Sequence, residues 1–147
     1  GVLAAPPCTM FSAARTNAKT PRDTRSAMKE VAACLRIIWD CQHGMGLAWW
    51  ALENPSTGML KKFLGKPAHV FQPIEYGDLH SKQTALWGLF TTPDKHQARL
   101  DFAEAGHMMA LARTNSQPLP KVPGLNQSGR RAITPPNFAR AFFEANP

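Results

Sequence analysis

The chain lacks the features that mark membrane, disulfide-stapled and metal-binding proteins. It contains no apolar run of about 18 residues, the length that a membrane-spanning helix needs. Its 3 cysteines are odd in number and irregularly spaced, which argues against a disulfide framework and favours a reducing, intracellular setting. Its 5 histidines show no ligand spacing, so we expect no metal site. With 18% charged residues, the sequence is also unlike a disordered, charge-rich tail.

Positive charge is what the sequence has in excess. Lys and Arg number 17 against 10 Asp and Glu, which gives a formal net charge of +7 at pH 7. This balance favours a polyanionic partner, because each phosphate that a cation neutralises releases counterions. Many basic proteins bind no nucleic acid, however, so the charge alone leaves both interpretations open.

The first part of the chain predicts an α/β unit. Val2 to Ala5 is a short apolar run ended by two prolines, as at the end of a buried parallel strand. A helix is predicted from Asp23 or Thr24 to about Cys41, because apolar residues recur there at every third and fourth position. Leu47 to Leu52 is a second apolar run. Strand, loop, helix and strand in this order predict a right-handed crossover.

The rest of the chain is predicted to add short elements to a single domain covering residues 1–147. A length of 147 residues with 44% hydrophobic side chains is enough for one core. The further predicted elements are helical turns over Ser56–Leu64, strands over Val70–Ile74 and Ala85–Phe90, a helix from Pro93 to about Arg113, and a terminal helix over Pro136–Ala145.

A thiol and a carboxylate follow the two best-defined strands. Cys8 comes directly after Pro6 and Pro7, and Glu53 is followed by Asn54 and a further proline. Ligands of open α/β sheets bind beyond the carboxyl ends of the strands, so the thiol and the carboxylate share one crevice if the two strands are neighbours. The prolines restrict the backbone of both loops, which helps to hold reactive groups in place.

Four segments resemble motifs of the DNA cytosine-5 methyltransferases, in that family's order. Ala5–Ser12 reads Ala-Pro-Pro-Cys-Thr-Met-Phe-Ser and looks like the family's Pro-Pro-Cys-Gln-x-Phe-Ser motif. Glu53–Pro55 is similar to Glu-Asn-Val, which is Glu-Asn-Pro in some phage and bacterial relatives. Tyr76–Gly88 resembles the segment with Gln-x-Arg-x-Arg, and Arg131–Arg140 resembles the late Arg-x-Leu-Thr-Pro…Ala-Arg motif. Four matches in order are much more specific than one.

The resemblance implies an α/β fold with a partial Rossmann-like, methyltransferase-type sheet flanked by helices, and a definite chemistry on DNA. In that family the target cytosine is flipped out of the duplex, because its ring is unreachable inside the stack. The resemblance implies that the thiolate of Cys8 attacks C6, after which C5 takes a methyl group from S-adenosylmethionine. Glu53 then contacts ring N3 and the exocyclic amine and stabilises the charge that the attack creates. A base removes the C5 proton, and the cysteine leaves.

The resemblance also implies residues that bind the cofactor and the DNA. The expected cofactor-binding residues are Pro6 and Asn54, and the expected DNA-binding residues are Ser12, Arg15, Lys82 and Arg131. A thiol reacts as the thiolate, which a positive field favours, and a basic loop with Lys19 and Arg22 follows Cys8. The implied setting is restriction-modification in the cytoplasm of a bacterial or phage-infected cell, with no membrane partner.

The sequence departs from the family pattern at several points. Thr9 replaces the usual Gln, and His80, Lys82 and Thr84 stand where Gln, Arg and Arg are expected. Lysine still meets a phosphate but loses the bidentate geometry of arginine. No Phe-x-Gly-x-Gly cofactor motif is present, and the chain begins at Gly1. We therefore expect an incomplete S-adenosylmethionine site, in a truncated enzyme or in one whose cofactor half lies on a second chain.

Two other functions fit the same residues. The first is a catalytically inactive relative that keeps a basic groove and binds DNA. The second is an unrelated cysteine-dependent hydrolase or transferase, with a histidine such as His80 as the base. A cysteine after two prolines is, taken alone, more often a small buried hydrophobe than a nucleophile. Cys34 and Cys41 are expected in the core, as are the tryptophans of the strands.

Overall fold

The computed structural model describes residues 1–13, 19–78, 82–95, 123–124, 129 and 132–147. Contacts along the backbone divide the chain into two compact units. The first comprises Gly1–Phe71, Gln83–Thr91 and Asn146, and the second comprises Gln72–Lys82, Thr92–Ala145 and Pro147. The single domain expected from the chain length stays a prediction.

The first unit is built on a four-stranded mixed sheet. Its strands are β1 (Val2–Ala4), β2 (Trp50–Pro55), β3 (His69–Phe71) and β4 (Thr84–Leu89), in the order β1-β2-β4-β3. β1 and β2 are parallel, whereas β4 is antiparallel to both β2 and β3. Two helices belong to this unit, α1 (Thr24–Met45) and α2 (Lys61–Leu64). The α/β class is confirmed, and so is a crossover connection, because β1 and β2 are parallel neighbours joined through α1. The right-handedness of the crossover stays a prediction.

The long helix α1 begins where the sequence predicts and ends one turn later. Asp23 caps it, since its carboxylate accepts a hydrogen bond from the backbone N–H of Ser26 at 2.8 Å. The helix runs past Cys41 because Gly44 is tolerated in a helix interior at a cost of only about 1 kcal/mol. It ends at Gly46, which has a left-handed conformation.

The core of the first unit lies between α1, α2 and the sheet. Its buried members are Phe11, Val31, Leu52, Leu60, Ala85 and Trp87. The indole N–H of Trp87 is satisfied by the carbonyl of Gly65 at 3.0 Å. The tryptophan prediction is thus confirmed for Trp87, and the half-buried Trp50 packs against the same core, while Trp49 is half-buried. Cys34 and Cys41 are also half-buried, and Cys34 packs against this core.

Strand β2 differs from the prediction in a way that affects the site. It begins at Trp50 instead of Leu47, and it continues to Pro55, which pairs with Thr84 of β4. Pairing with β4 extends the strand beyond its apolar run, and a proline is acceptable at the strand end. Glu53–Pro55 is therefore the last part of β2, and the prediction that it forms a loop after the strand is wrong.

The shorter elements agree with the sequence in type and differ in length. α2 occupies only the end of the segment predicted as helical turns, and β4 matches its prediction to within one residue at each end. β3 stops at Phe71 instead of reaching Ile74. Residues Pro73–Tyr76 form a 3-10 helix instead, because Gln72 and Glu75 make a reciprocal capping box around Pro73.

The second unit packs this 3-10 helix against α3 (Pro136–Ala145), whose bounds are those predicted. The ring of Tyr76 meets that of Phe138 edge-on with centroids 5.1 Å apart. The carboxylate of Asp78 accepts hydrogen bonds from the backbone N–H groups of Asn137 and Phe138 at 3.3 and 3.2 Å, which caps α3. Burial, together with the charges of Glu75 and Asp94, raises the pKa of Tyr76 to about 12.

The helix predicted from Pro93 is not seen at its start, because the described residues 92–95 are not helical. The remainder of that prediction lies outside the described residues. Among the helices described here, none is long and apolar enough to cross a membrane.

Candidate functional site

The Pro-Cys loop and the Glu-Asn-Pro segment lie side by side at the carboxyl edge of the sheet. In the parallel pair, Ala4 of β1 is opposite Leu52 of β2, so the next residues beyond that pair are Ala5 and Glu53. One residue further, the side-chain amide of Asn54 donates a hydrogen bond to the carbonyl of Pro6 at 3.0 Å. The predicted neighbourhood of the two strands is confirmed.

Cys8 sits at the start of a tight turn just after this contact. It follows Pro6 by two residues, so the Cα atoms of the two lie within about 7 Å of each other. The carbonyl of Cys8 accepts hydrogen bonds from the N–H groups of Phe11 and Ser12 at 2.9 and 2.8 Å. Phe11 is fully buried and anchors the turn in the core. Cys8 itself is only half-buried, so solvent reaches a residue whose backbone is held in place.

A cation is fixed within the same loop. The guanidinium of Arg22 donates to the carbonyl of Met10, 12 positions earlier in the chain, at 2.8 Å. This bond ties the segment just before α1 to the turn that carries Cys8. It also keeps a positive charge close to that turn, as the sequence analysis expects for the basic loop.

The side chain of Glu53 lies on the face of the sheet opposite to the core side chains of β2. Side chains alternate along a strand, and Leu52 packs in the core with Val31 of α1. Glu53 therefore points away from α1, and it is half-buried. A half-buried carboxylate at the end of a strand combines a defined position with access to a ligand, which the hypothesis for Glu53 requires.

Asn54 is the residue that couples the two segments. It is 1% exposed, and its side-chain oxygen has no hydrogen-bond partner among the described residues. Pro6, the acceptor of its amide, is also buried. In this arrangement both residues hold the Cys8 loop against β2, and their expected contact with a cofactor stays a prediction. Sequence reasoning missed the coupling, because a contact between residues 48 positions apart leaves no local signal in the sequence.

A shallow cleft opens between the Pro-Cys loop and the start of α1, and Cys8 is not among the residues that line it. Its volume is about 420 Å³, and it is lined by Pro7, Thr9, Met10, Asp23, Ser26, Ala27 and Glu30. The cleft is on the α1 side of the sheet, whereas Glu53 points to the opposite face. Its lining contains neither Cys8 nor Glu53, so this cleft is separate from both predicted catalytic side chains.

The other two thiols differ from Cys8 in their surroundings. Both lie on α1, and Cys34 packs against the core. Burial, and next to it the charge of Glu30, raises the pKa of Cys34 above its ordinary value. A raised pKa keeps the thiol protonated at neutral pH, which makes Cys34 a poor nucleophile.

The expected DNA-binding residues are only partly placed. Ser12 is half-buried within the turn after Cys8, so it belongs to the same loop. Lys82 is half-buried and belongs to the second unit. Arg15 and Arg131 lie outside the described residues, as does His80. Their roles stay predictions.

The described residues do not by themselves fit an S-adenosylmethionine site. In the described part of the sheet β1 is an edge strand, and the turn that follows it is formed by prolines instead of glycines. The carbonyl of Pro6 is already bonded to Asn54. Within the same described ranges, no three His, Cys, Asp or Glu residues are grouped so that they could hold a metal ion.

Comparisons with protein-family models, with curated proteins and with solved structures find no match to this chain.

Proposed function

We propose that the chain is the base-attacking part of a DNA cytosine-5 methyltransferase, with Cys8 as the nucleophile and Glu53 as the residue that binds the cytosine ring. One observation carries the proposal: the hydrogen bond from Asn54 to the carbonyl of Pro6. This bond joins two segments that are far apart in the sequence and that each resemble a catalytic motif of that enzyme family.

The proposed reaction begins with addition of the Cys8 thiolate to C6 of a cytosine flipped out of the duplex. A bond forms between sulfur and C6, and the electron pair of the C5–C6 double bond moves towards C5 and N3. A Glu53 carboxyl group that carries a proton donates it to N3 and accepts from the exocyclic amine with its other oxygen, so the charge that arrives at N3 is neutralised. C5 is then nucleophilic and adds an electrophile, either a proton from water or the methyl group. A base next removes the original proton of C5, the C5–C6 double bond re-forms, and the thiolate of Cys8 is expelled.

The methyl donor enters this proposal from outside the described residues. S-adenosylmethionine would supply the methyl group, held by a further segment or by a second chain that carries the cofactor half. The finer fold that goes with the proposal is a partial Rossmann-like sheet, and an antiparallel strand on an otherwise parallel sheet is common in such folds. The proposed partner is DNA, in the cytoplasm of a bacterial or phage-infected cell.

The test is hydrogen exchange at C5, which needs no methyl donor. While sulfur is bonded to C6, C5 exchanges its hydrogen with water, so tritium from duplexes containing 5-tritiated cytosine appears in the solvent. We expect Cys8→Ser to abolish this release and Glu53→Gln to slow it by about 10²- to 10⁴-fold, the usual size of such a contribution. Cys41→Ser, which changes a half-buried thiol far along α1, is the matched control and should release tritium at the wild-type rate.

A second candidate function is an inactive relative that binds DNA without attacking it. The net charge of +7 favours it, because attraction to the phosphate backbone needs no reactive thiol. Duplex binding that persists in Cys8→Ala, together with no tritium release from the unmodified chain, would select this function over the enzyme.

A further inference from the structure

Three lysines project from one short stretch of the first unit. Lys61 and Lys62 lie on α2, and Lys66 follows directly after the Gly65 that caps it; all three side chains are exposed. Three ion pairs within the described residues use other cations. They join Arg36 to Asp40, Lys95 to Glu75 and Arg140 to Glu144. The positive charge of these lysines is therefore not offset by any of those acids.

The backbone that carries these lysines is anchored on both sides. Leu60, just before α2, is fully buried, and Leu64 packs against the same core. The carbonyl of Gly65 accepts the indole N–H of Trp87 at 3.0 Å. Leu60 and Leu64 are one helical turn apart and both face the core, so Lys61 and Lys62 between them face outwards. The lysines thus extend from a fixed base, so a ligand orders only their side chains.

This stretch is also tied to the loop of Cys8. The N–H of Met59 donates to the carbonyl of Phe11 at 2.8 Å. The ring of Phe63 on α2 meets the ring of Phe11 edge-on, with centroids 6.1 Å apart. Gly58 lies so close that a Cβ there would be 3.0 Å from the carbonyl oxygen of Phe11. The lysines are therefore held beside the turn that presents the thiol.

We propose that Lys61, Lys62 and Lys66, the α2 lysine surface, bind the phosphodiester backbone of DNA next to the base that Cys8 attacks. The identity of that base rests on the proposed function, whereas the phosphate contact follows from charge and position. An extruded nucleotide needs the phosphates on either side of it to be held. Lysine side chains suit this task, because a flexible ammonium group binds a phosphate whatever the DNA sequence is. DNA is favoured over an anionic membrane because the charges adjoin the reactive loop.

The test compares two triple variants with the same loss of charge. Lys61→Ala/Lys62→Ala/Lys66→Ala removes the α2 lysine surface, while Arg36→Ala/Lys95→Ala/Arg140→Ala removes three cations that are already ion-paired. Both are made in a Cys8→Ala background, so that no covalent capture contributes. The affinity for a duplex with one mismatched cytosine is measured by anisotropy over a series of salt concentrations. Circular dichroism checks that each variant is folded.

We expect the lysine triple to weaken binding by about tenfold or more at low salt, and to reduce the slope of log K against log salt by about 2 to 3, since each phosphate contact contributes about 0.9. The control triple should keep the wild-type slope to within about half a unit. Lys→Arg at the same three positions should restore binding, because the charge returns.

Equal losses in both triples would overturn the proposal, since net charge alone would then explain them. An unchanged slope in the lysine triple would overturn it as well, and so would a lysine-dependent affinity for phosphatidylserine vesicles with none for DNA. The result is independent of the tritium test. Lysine-dependent DNA binding without tritium release would support the phosphate contact and refute the proposed enzymatic function. Tritium release without lysine-dependent binding would refute only the role of the α2 lysine surface.

Discussion

At the scale of single residues, the site depends on a buried amide more than on the two groups predicted to react. Asn54 satisfies the carbonyl of Pro6 while its own oxygen has no partner among the described residues. A buried polar group is costly unless it is bonded, so its presence needs a compensating role. Holding the turn of Cys8 beside Glu53 is such a role.

Asn54→Ala should therefore change both the stability of the fold and the reactivity of the Cys8 thiol. It leaves the buried carbonyl of Pro6 without a donor, which should lower the free energy of unfolding by about 1–3 kcal/mol. The loosened turn should also change the rate at which iodoacetamide alkylates Cys8. Urea unfolding and peptide-resolved alkylation are the measurements, with Asn137→Ala, whose residue is exposed in the second unit, as the control that stays within about 0.5 kcal/mol. A variant as stable and as reactive as the wild type would contradict the coupling.

At the scale of elements, β4 organises the sheet. It pairs with β2 along the whole of Trp50–Pro55 and with β3 on its other side. This pairing carries β2 onward into Glu53 and Asn54. Gly88 allows β4 to come this close to β2. Its φ is 146°, and a Cβ at this position would collide with the carbonyl oxygen of Trp50.

Gly88→Ala should disrupt the β2–β4 pairing. Strain at this φ and the collision with backbone should together cost about 3 kcal/mol or more in the free energy of unfolding. The matched control is Gly44→Ala in α1, where an added Cβ meets nothing within 4 Å; it should gain about 0.5–1 kcal/mol. Thermal unfolding of the two variants should shift in opposite directions, and a Gly88→Ala protein as stable as the wild type would refute this account of the sheet.

The sequence predicts elements well where a local signal decides them. Asp23 marks the start of α1, and the periodicity of Pro136–Ala145 gives α3 with its observed bounds. It fails where pairing or packing decides, as in the extension of β2 through Pro55 and the early end of β3. Trp39 is another such case, because helical spacing places it near the buried face although it is 62% exposed.

For the site, the sequence predicted the proximity of two segments but not how they are joined. The neighbouring strands follow from the crossover pattern, which brought Cys8 and Glu53 to one edge. The amide bridge of Asn54 and the attachment of α2 to Phe11 are contacts between distant parts of the chain, which no local pattern encodes. The position of the α2 lysines beside the Cys8 loop likewise follows only from the fold.

At the scale of the whole molecule, the proposals assign the excess of positive charge and the reactive loop to one task. The formal charge of +7 supports association with a polyanion, and the α2 lysine surface lies in the same unit as Cys8 and Glu53. Binding and base attack are separable, because the lysines and the thiol are different residues. The central claim concerns the thiol: that it reaches C6 of a cytosine extruded from DNA.

Trapping with 5-azacytosine tests this claim most directly. Addition of the thiol to a duplex containing this base forms a bond between sulfur and C6 and places the proton on the ring nitrogen at position 5, so no cofactor or leaving group is involved. Intact mass and peptide mapping should find one DNA adduct per chain, on the peptide with Cys8, and none in Cys8→Ser. An adduct on Cys34 or Cys41, or an equal yield in Cys8→Ser, would contradict the account, as would the absence of any adduct with a folded chain that binds the duplex.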